Sequence, residues 1–180
     1  MTVIRTIHPV GHGGFFTEEL SEGNECYNVV YDCGSRNGAM LLEREINKAF
    51  NRMQSVDLLF ISHFDRDHVS ELKELVRRNL LNSSTKVVMP FHYPSYFVIL
   101  NPFLYAYYEQ CMLILRSTGA TIVEVEELNP FEDEYGRYHD RPYAGDVSFE
   151  QLRGRISSGS RISLSPKWIY IPFNLNDSKN

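Results

Sequence analysis

Between His63 and His68 the chain reads His-Phe-Asp-Arg-Asp-His, which places two imidazoles (His63 and His68) and two carboxylates (Asp65 and Asp67) within six residues. These are the nitrogen and oxygen donors that zinc and similar divalent cations take at about 2.0–2.2 Å. In an extended loop His63, Asp65 and Asp67 project to one side, and a turn at Asp67 brings His68 round to the same cavity. Four donors so close can serve two adjacent ions. The plainer alternative makes Asp67 a helix N-cap on a solvated loop. Four donors directly after a buried strand favour the metal.

That strand is Val56-Asp57-Leu58-Leu59-Phe60-Ile61, a nearly continuous apolar run, which predicts a strand covered on both faces and central in its sheet. Loops at the carboxyl ends of such strands are where open α/β sheets build sites. A helix beginning near Ser70 carries Leu72, Leu75, Val76 and Leu80 on one face, with Glu74 placed to pair with Arg78. Upstream, residues 3–10 read as a strand closed by Pro9. The turn Gly11-His12-Gly13-Gly14 and a short strand at Phe15-Phe16-Thr17 complete a hairpin. A third strand over 27–32 stops at Cys33-Gly34-Ser35, leaving Asp32 at its carboxyl end. Ala39, Leu42, Ile46, Ala49 and Met53 recur at helical spacing. Then come a strand at 87–90, a helix from about Phe103 to Ser117 with Gly119 just past its end, and a strand over 121–126. The expected order is hairpin and strand, then αβαβαβ, well patterned over 1–128 of a single 1–180 domain.

From 129 to 166 the pattern is broken by Pro130, Gly136, Pro142, Gly145, Gly154 and Gly159, which predicts a long loop region. A final strand is expected within 167–173, before a polar tail at 174–180. Arg137, Arg141, Arg153, Arg155 and Arg161 fall in or near that loop and could grip phosphates. Offset by Glu132, Asp133 and Glu134, they read more simply as a solvated segment. The tyrosines Tyr93, Tyr96, Tyr105, Tyr107 and Tyr108 read as helix packing rather than a stacking platform. Cys33 reads as a small buried residue without a base to activate it.

The chain has 180 residues with 18 Lys+Arg against 23 Asp+Glu, a net charge of −5. That length buries one full core but leaves no room for a second catalytic domain. The acidic balance argues against nucleic-acid binding through bulk charge, although a local basic patch is compatible with it. Three cysteines, Cys26, Cys33 and Cys111, show no framework spacing, and no basic-then-apolar leader is visible, so a reducing cytoplasm is expected. The apolar stretch from Tyr96 to Leu115 is interrupted by Asn101, Pro102, Glu109 and Gln110, short of the roughly 20 apolar residues a membrane span needs.

The segment VDLLFISHFDRDHVSEL, Val56 to Leu72, resembles the signature of the metallo-β-lactamase superfamily, His-x-His-x-Asp-His after a hydrophobic strand. Tyr31-Asp32-Cys33-Gly34 is similar to that family's first motif, and Val10-Gly11-His12-Gly13 resembles the Val-Gly-Gln-Gly turn of its DNA-uptake (competence) branch. The three ordered matches lie within roughly the first 80 residues. The resemblance implies an α/β fold of the αββα sandwich type, incomplete at the carboxyl end, and a hydrolase whose metals activate water against a carbonyl or phosphoryl centre.

Carried over, it makes His63 a ligand of the first metal and makes Asp67 and His68 ligands of the second and the catalytic pair. Asp65 stands where the family has its second histidine. Its anionic oxygen favours harder ions, so zinc, two ions in a complete protein, is joined by manganese or iron as alternatives. Asp32 would orient the motif loop rather than bind metal. Of the family's later ligands, His139 is the candidate third. His92 reads more readily as structural, Asp146 mimics the bridging aspartate's Gly-Asp context, and no final histidine is present. The substrate expected is a phosphodiester or nucleic-acid-related molecule ahead of a lactam or thioester. Self-association or a complementary chain is expected to cover a sheet face assigned to Val29, Leu59 and Ile61, with no membrane involved. The alternative is a truncated or degenerate non-catalytic interaction module that keeps the fold without a complete dinuclear site.

Overall fold

Neighbouring residues along the central strands belong to two different cores, one under helices and one under a second sheet. The computed structural model describes residues 2–51, 53–91, 102–127, 144–172 and 174, and the backbone alone at 131–132 and 138–139. Strands β1 (Thr2–Ile7), β2 (Phe16–Glu22) and β3 (Glu25–Tyr31) form an antiparallel meander. The chain then alternates through α1 (Ala39–Phe50), β4 (Leu58–Phe60), α2 (Arg66–Val69), α3 (Leu72–Arg77), β5 (Lys86–Pro90), α4 (Pro102–Ser117) and β6 (Thr121–Val125). β3, β4, β5 and β6 pair in parallel, as crossover helices require. The short pair β7 (Phe131–Glu132) and β8 (Tyr138–His139) comes next, then β9 (Asp146–Ser148), β10 (Gly154–Ile156), β11 (Arg161–Ser165) and β12 (Trp168–Tyr170).

The large sheet runs β1-β2-β3-β4-β5-β6-β10, so β4, the strand that feeds the His/Asp loop, is the middle one of seven. Its apolar run is continuous because both faces are covered. Val30, Leu59, Ile61, Val87 and Met89 pack against Leu42 and Ile46 of α1, Leu72 and Leu75 of α3, and Met112 and Leu115 of α4. On the other face Val29, Leu58, Val88, Val123 and Val125 meet Leu152, Ile162 and Leu164. The second layer is a three-stranded sheet in the order β12-β11-β9. The architecture is thus layered α/β, with a helix layer, a seven-stranded sheet and a small sheet among the described residues.

Three expectations need correcting. The stretch read as a loop over 129–166 holds β9, a single 3-10 turn at Phe149–Gln151, β10 and β11 within its described part. Its glycines do not mark disorder of pattern. Gly145, Gly154 and Gly159 carry φ of 123°, 67° and 82° and turn the chain at or between strands of only three to five residues. Serines hide the alternation in Arg161–Ser165, where Ile162 and Leu164 point into the core. Second, Val29 is opposite Leu58, which puts Leu59 and Ile61 on the helix face, and the face that carries Val29 is covered by the second sheet. The ground for expecting an exposed sheet face is therefore absent. Third, a separate short helix, α2 from Arg66, precedes the helix expected near Ser70, which is α3 from Leu72, and the last strand spans only Trp168–Tyr170.

Leu152 and Ile162, both with no exposed area, lie between the two sheets. Truncating either to alanine is expected to lower the unfolding free energy by about 2–5 kcal/mol, read from urea denaturation. A loss below about 0.5 kcal/mol, the range of surface changes, would mean that the second sheet is not a packed layer.

Candidate functional site

Three chain segments meet at the carboxyl ends of β3 and β4, and they do so without room for a single extra carbon. A Cβ added to Gly13 would lie 2.3 Å from the Gly34 carbonyl oxygen and 2.7 Å from that of Asp67. One added to Gly34 would lie 2.5 Å from the Asp67 carbonyl carbon and the His68 nitrogen. Backbone hydrogen bonds close the same triangle. The Gly14 N–H donates to the Asp67 carbonyl at 3.0 Å, Cys33 N–H to the His68 carbonyl at 2.7 Å, and Gly34 N–H to the Gly14 carbonyl at 2.9 Å. The glycine turn at 11–14, the end of β3 and the start of α2 therefore form one unit.

Asp32 is the hinge of that unit. It is a non-glycine residue at φ 54°, a left-handed conformation that Asp tolerates better than most residues, and it is buried. Its Oδ1 accepts the Ser62 backbone N–H at 2.8 Å, and its Oδ2 accepts the Ser62 hydroxyl at 2.7 Å and His68 Nδ1–H at 2.8 Å. A carboxylate can only accept, so His68 carries a proton on Nδ1, and in the neutral ring Nε2 keeps its lone pair. The same logic reaches His63. The Ser62 hydroxyl has one proton and gives it to Asp32, so its 2.9 Å contact with His63 Nδ1 requires His63 to be the donor. In their neutral forms both imidazoles then present unprotonated Nε2 atoms, with ring centres 3.9 Å apart.

Asp67, the second residue of α2, lies beside them with its side chain only 7% exposed. Its Oδ2 is 3.2 Å from His12 Nε2 and 3.9 Å from His68 Nε2. Its Oδ1 lies 3.1 Å from Arg36 Nη2, yet without an aligned N–H, so this buried oxygen has no hydrogen bond among the described residues. Burial works against ionisation of Asp67. Its own backbone N–H and the Arg36 guanidinium outweigh that and hold the carboxyl below its ordinary value. Asp65 occupies the N-cap position but makes no capping bond; its Oδ2 lies 3.8 Å from His63 Nε2, and both side chains are about half exposed.

The structure thus brings His63, Asp65, Asp67 and His68 to one place and puts Asp32 behind them. It does so with a helical start at Arg66, rather than through an extended loop. The donors stand as two pairs, and among the described residues no group of three or more His, Cys, Asp or Glu side chains is arranged to hold a metal ion. The side chains of His92 and His139 lie outside the described residues. Asp146 lies in the second sheet, 3.6 Å from Arg161. Arg155 pairs with Glu124 and stacks over Phe91, away from the site, and Arg137 and Arg141 lie outside the described residues. Tyr107 and Tyr108 pack on the helix-side core, and burial pushes the Cys33 thiol well up, as befits an inert residue. Nothing in the spacing of the sequence marks His12 or Arg36 as a partner of Asp67. Each comes from a loop remote in sequence from Asp67; the only local signal was an imidazole in a turn of glycines.

No family model matches the chain, and no curated protein matches it. A solved structure from Thermotoga maritima described as a "putative metallo-beta-lactamase" is similar at 12% identity, with a TM-score of 0.41 over 74% of this chain. The match spans 64% of that protein's length. No helix among the described residues is long and apolar enough to cross a membrane.

If Asp32 sets both tautomers, long-range proton–nitrogen spectra at neutral pH will show His63 and His68 protonated at Nδ1. In Asp32→Ala both rings should lose that preference, with folding checked by urea denaturation. Nε2–H tautomers in the unsubstituted protein would contradict the hydrogen-bond chain.

Proposed function

We propose that this chain is a metal-dependent hydrolase of the metallo-β-lactamase type. The observation that carries the reading is that one buried carboxylate, Asp32, leaves two Nε2 lone pairs beside the buried, negatively charged Asp67. An acceptor array of that kind attracts a cation. Two donors bound to one ion at about 2.0–2.2 Å stand about 3–4 Å apart. The Asp67–His68 and His63–Asp65 pairs, at 3.9 and 3.8 Å, have that spacing. The residues therefore fit a divalent ion as two half-sites. His63 and Asp65 would hold one ion, Asp67 and His68 the other.

When bound, such ions acidify water and polarise a carbonyl or phosphoryl oxygen. This chain's own groups do the rest. Asp32 and Ser62 hold the two imidazoles in the ligating tautomer, as outer partners of metal-bound histidines generally do. Arg36, more than half exposed, offsets the charge of Asp67, and the exposed His12 ring lies 3.2 Å from the same carboxylate. Zinc suits the imidazoles, and the two carboxylates leave room for manganese or iron. The bond hydrolysed is a phosphodiester or another ester or amide, and the glycine turn at 10–13 favours the competence-type branch. A second reading, a non-catalytic module that keeps the fold, is favoured by one observation. No third donor completes either pair among the described residues.

Elemental analysis of protein purified without chelator tests the first reading. At least one divalent ion per chain is expected, with a fall of five-fold or more in the double variant Asp67→Ala/His68→Ala. Unaltered metal content in that variant would sink the assignment. On bis-p-nitrophenyl phosphate a turnover below about 1 s⁻¹, the low end of ordinary enzymes, is expected and should vanish with chelator and in His63→Ala. Tight metal with no turnover on phosphodiester, ester or amide would select the module.

A further inference from the structure

A second feature lies next to the paired donors and is built from the core between the two sheets. Where β3, β4, β5 and β6 end, the packing leaves a cavity of about 220 Å³. Tyr31 and Phe60 stack at 5.1 Å with planes 13° apart, and Tyr170 leans on both, at 5.1 Å from Phe60 and 6.1 Å from Tyr31. Val88 and Ile171 line the cavity with them, and Asp32 and Ser62 stand at its polar end. Ser62 is the residue whose hydroxyl meets the Nδ1 atoms of His63 and His68, so the cavity opens beside the candidate site.

The chemistry of the lining selects what can enter. Both tyrosine hydroxyls are bonded to Glu18, which Arg5 also holds at 2.6 Å, so the rings offer their carbon surfaces to the cavity. The Asp32 carboxylate already accepts three hydrogen bonds. No Lys, Arg or His is among the described residues that line the space. A phosphate placed inside would lose its hydration with no cation to replace it, and a nucleobase would find few donors, because the lining amide of Asn174 already gives its Nδ2 to the Phe91 and Val125 carbonyls. An apolar ring loses nothing of that kind. A dry apolar cavity of about 150 Å³ takes a benzene ring, so this volume admits one substituted ring and is too small for a whole drug-sized ligand.

We propose that the cavity formed by Tyr31, Phe60 and Tyr170 is a subsite for a neutral, apolar, ring-sized group of the substrate, whose scissile ester, amide or phosphodiester bond then lies over Ser62, His63 and His68. The position of the bond rests on the hydrolase reading; the ring site does not. It directs the substrate away from a nucleic-acid strand and toward a small molecule bearing an aryl or comparable apolar group.

The test uses the full chain with chelator present, so that metal plays no part. Benzyl alcohol, inorganic phosphate and a thymidine dinucleotide are titrated separately while the aromatic carbon–proton resonances are followed. Benzyl alcohol is expected to shift Tyr31, Phe60 and Tyr170 saturably. Ile171, half exposed at the rim, tolerates change, so Ile171→Trp fills the mouth and Ile171→Asp charges it. Each should weaken benzyl alcohol binding five-fold or more while leaving the urea midpoint in place. No saturable shift at the three rings, or shifts that both variants leave untouched, overturns the proposal. Phosphate or the dinucleotide shifting those rings more tightly than benzyl alcohol also overturns it. Failure here leaves the metal content unaffected, and absence of metal leaves this titration unaffected, so the two readings fail separately.

Discussion

A single buried carboxylate governs the geometry of the site. Asp32 is taken out of water at the end of β3, in a backbone conformation that costs a non-glycine residue on the order of 1–3 kcal/mol. Three hydrogen bonds to its two oxygens over-determine that strain. Those bonds reach Ser62, which follows the central strand closely, and His68 in α2. A residue from one strand thereby orients side chains from the loop after the next. The tautomers of both imidazoles follow from it, and so does the direction in which their lone pairs point.

The rest of the fold serves that arrangement. β4 can deliver its loop to a fixed place because it is the middle strand of seven and is covered by helices on one face and by a small sheet on the other. The glycine turn before β2 and Gly34 after β3 permit backbone-to-backbone approach, which is why Asp67 can be buried between them at the start of a helix. Charge balance then falls to Arg36 at the surface. The same strand ends that carry the polar groups also leave an aromatic-walled cavity between the layers, where tyrosine hydroxyls are turned away toward Glu18. Polar chemistry and apolar recognition are thus adjacent but separately built.

Much of this is legible in the chain itself, and the illegible parts have physical reasons. The apolar run to Ile61, the helical spacing from Ala39 and the donors at 63–68 each express a local rule, and local rules read directly from sequence. Asp32 could be placed at a strand end, but its left-handed φ and its reach to Ser62 depend on pairing between β3 and β4. The second sheet escaped because its strands are three to five residues long, separated by glycines and diluted by serines, below the length at which alternation is persuasive. His12 and Arg36 escaped because their partner, Asp67, is dozens of residues away and only the fold makes them neighbours. The assignment of Leu59 to the wrong face shows how a shift of one residue in register inverts a packing argument.

We propose that His68 and His63 bind metal through Nε2 because Asp32 and Ser62 hold their Nδ1 atoms. Anomalous diffraction from crystals soaked in zinc addresses it directly. A peak is expected within bonding distance of His68 Nε2 and the Asp67 carboxylate, with a second near His63 Nε2 and Asp65, and with Asp32 still bonded to His68 Nδ1. A map without density at either pair, or with zinc on an Nδ1 atom and Asp32 displaced, would contradict it.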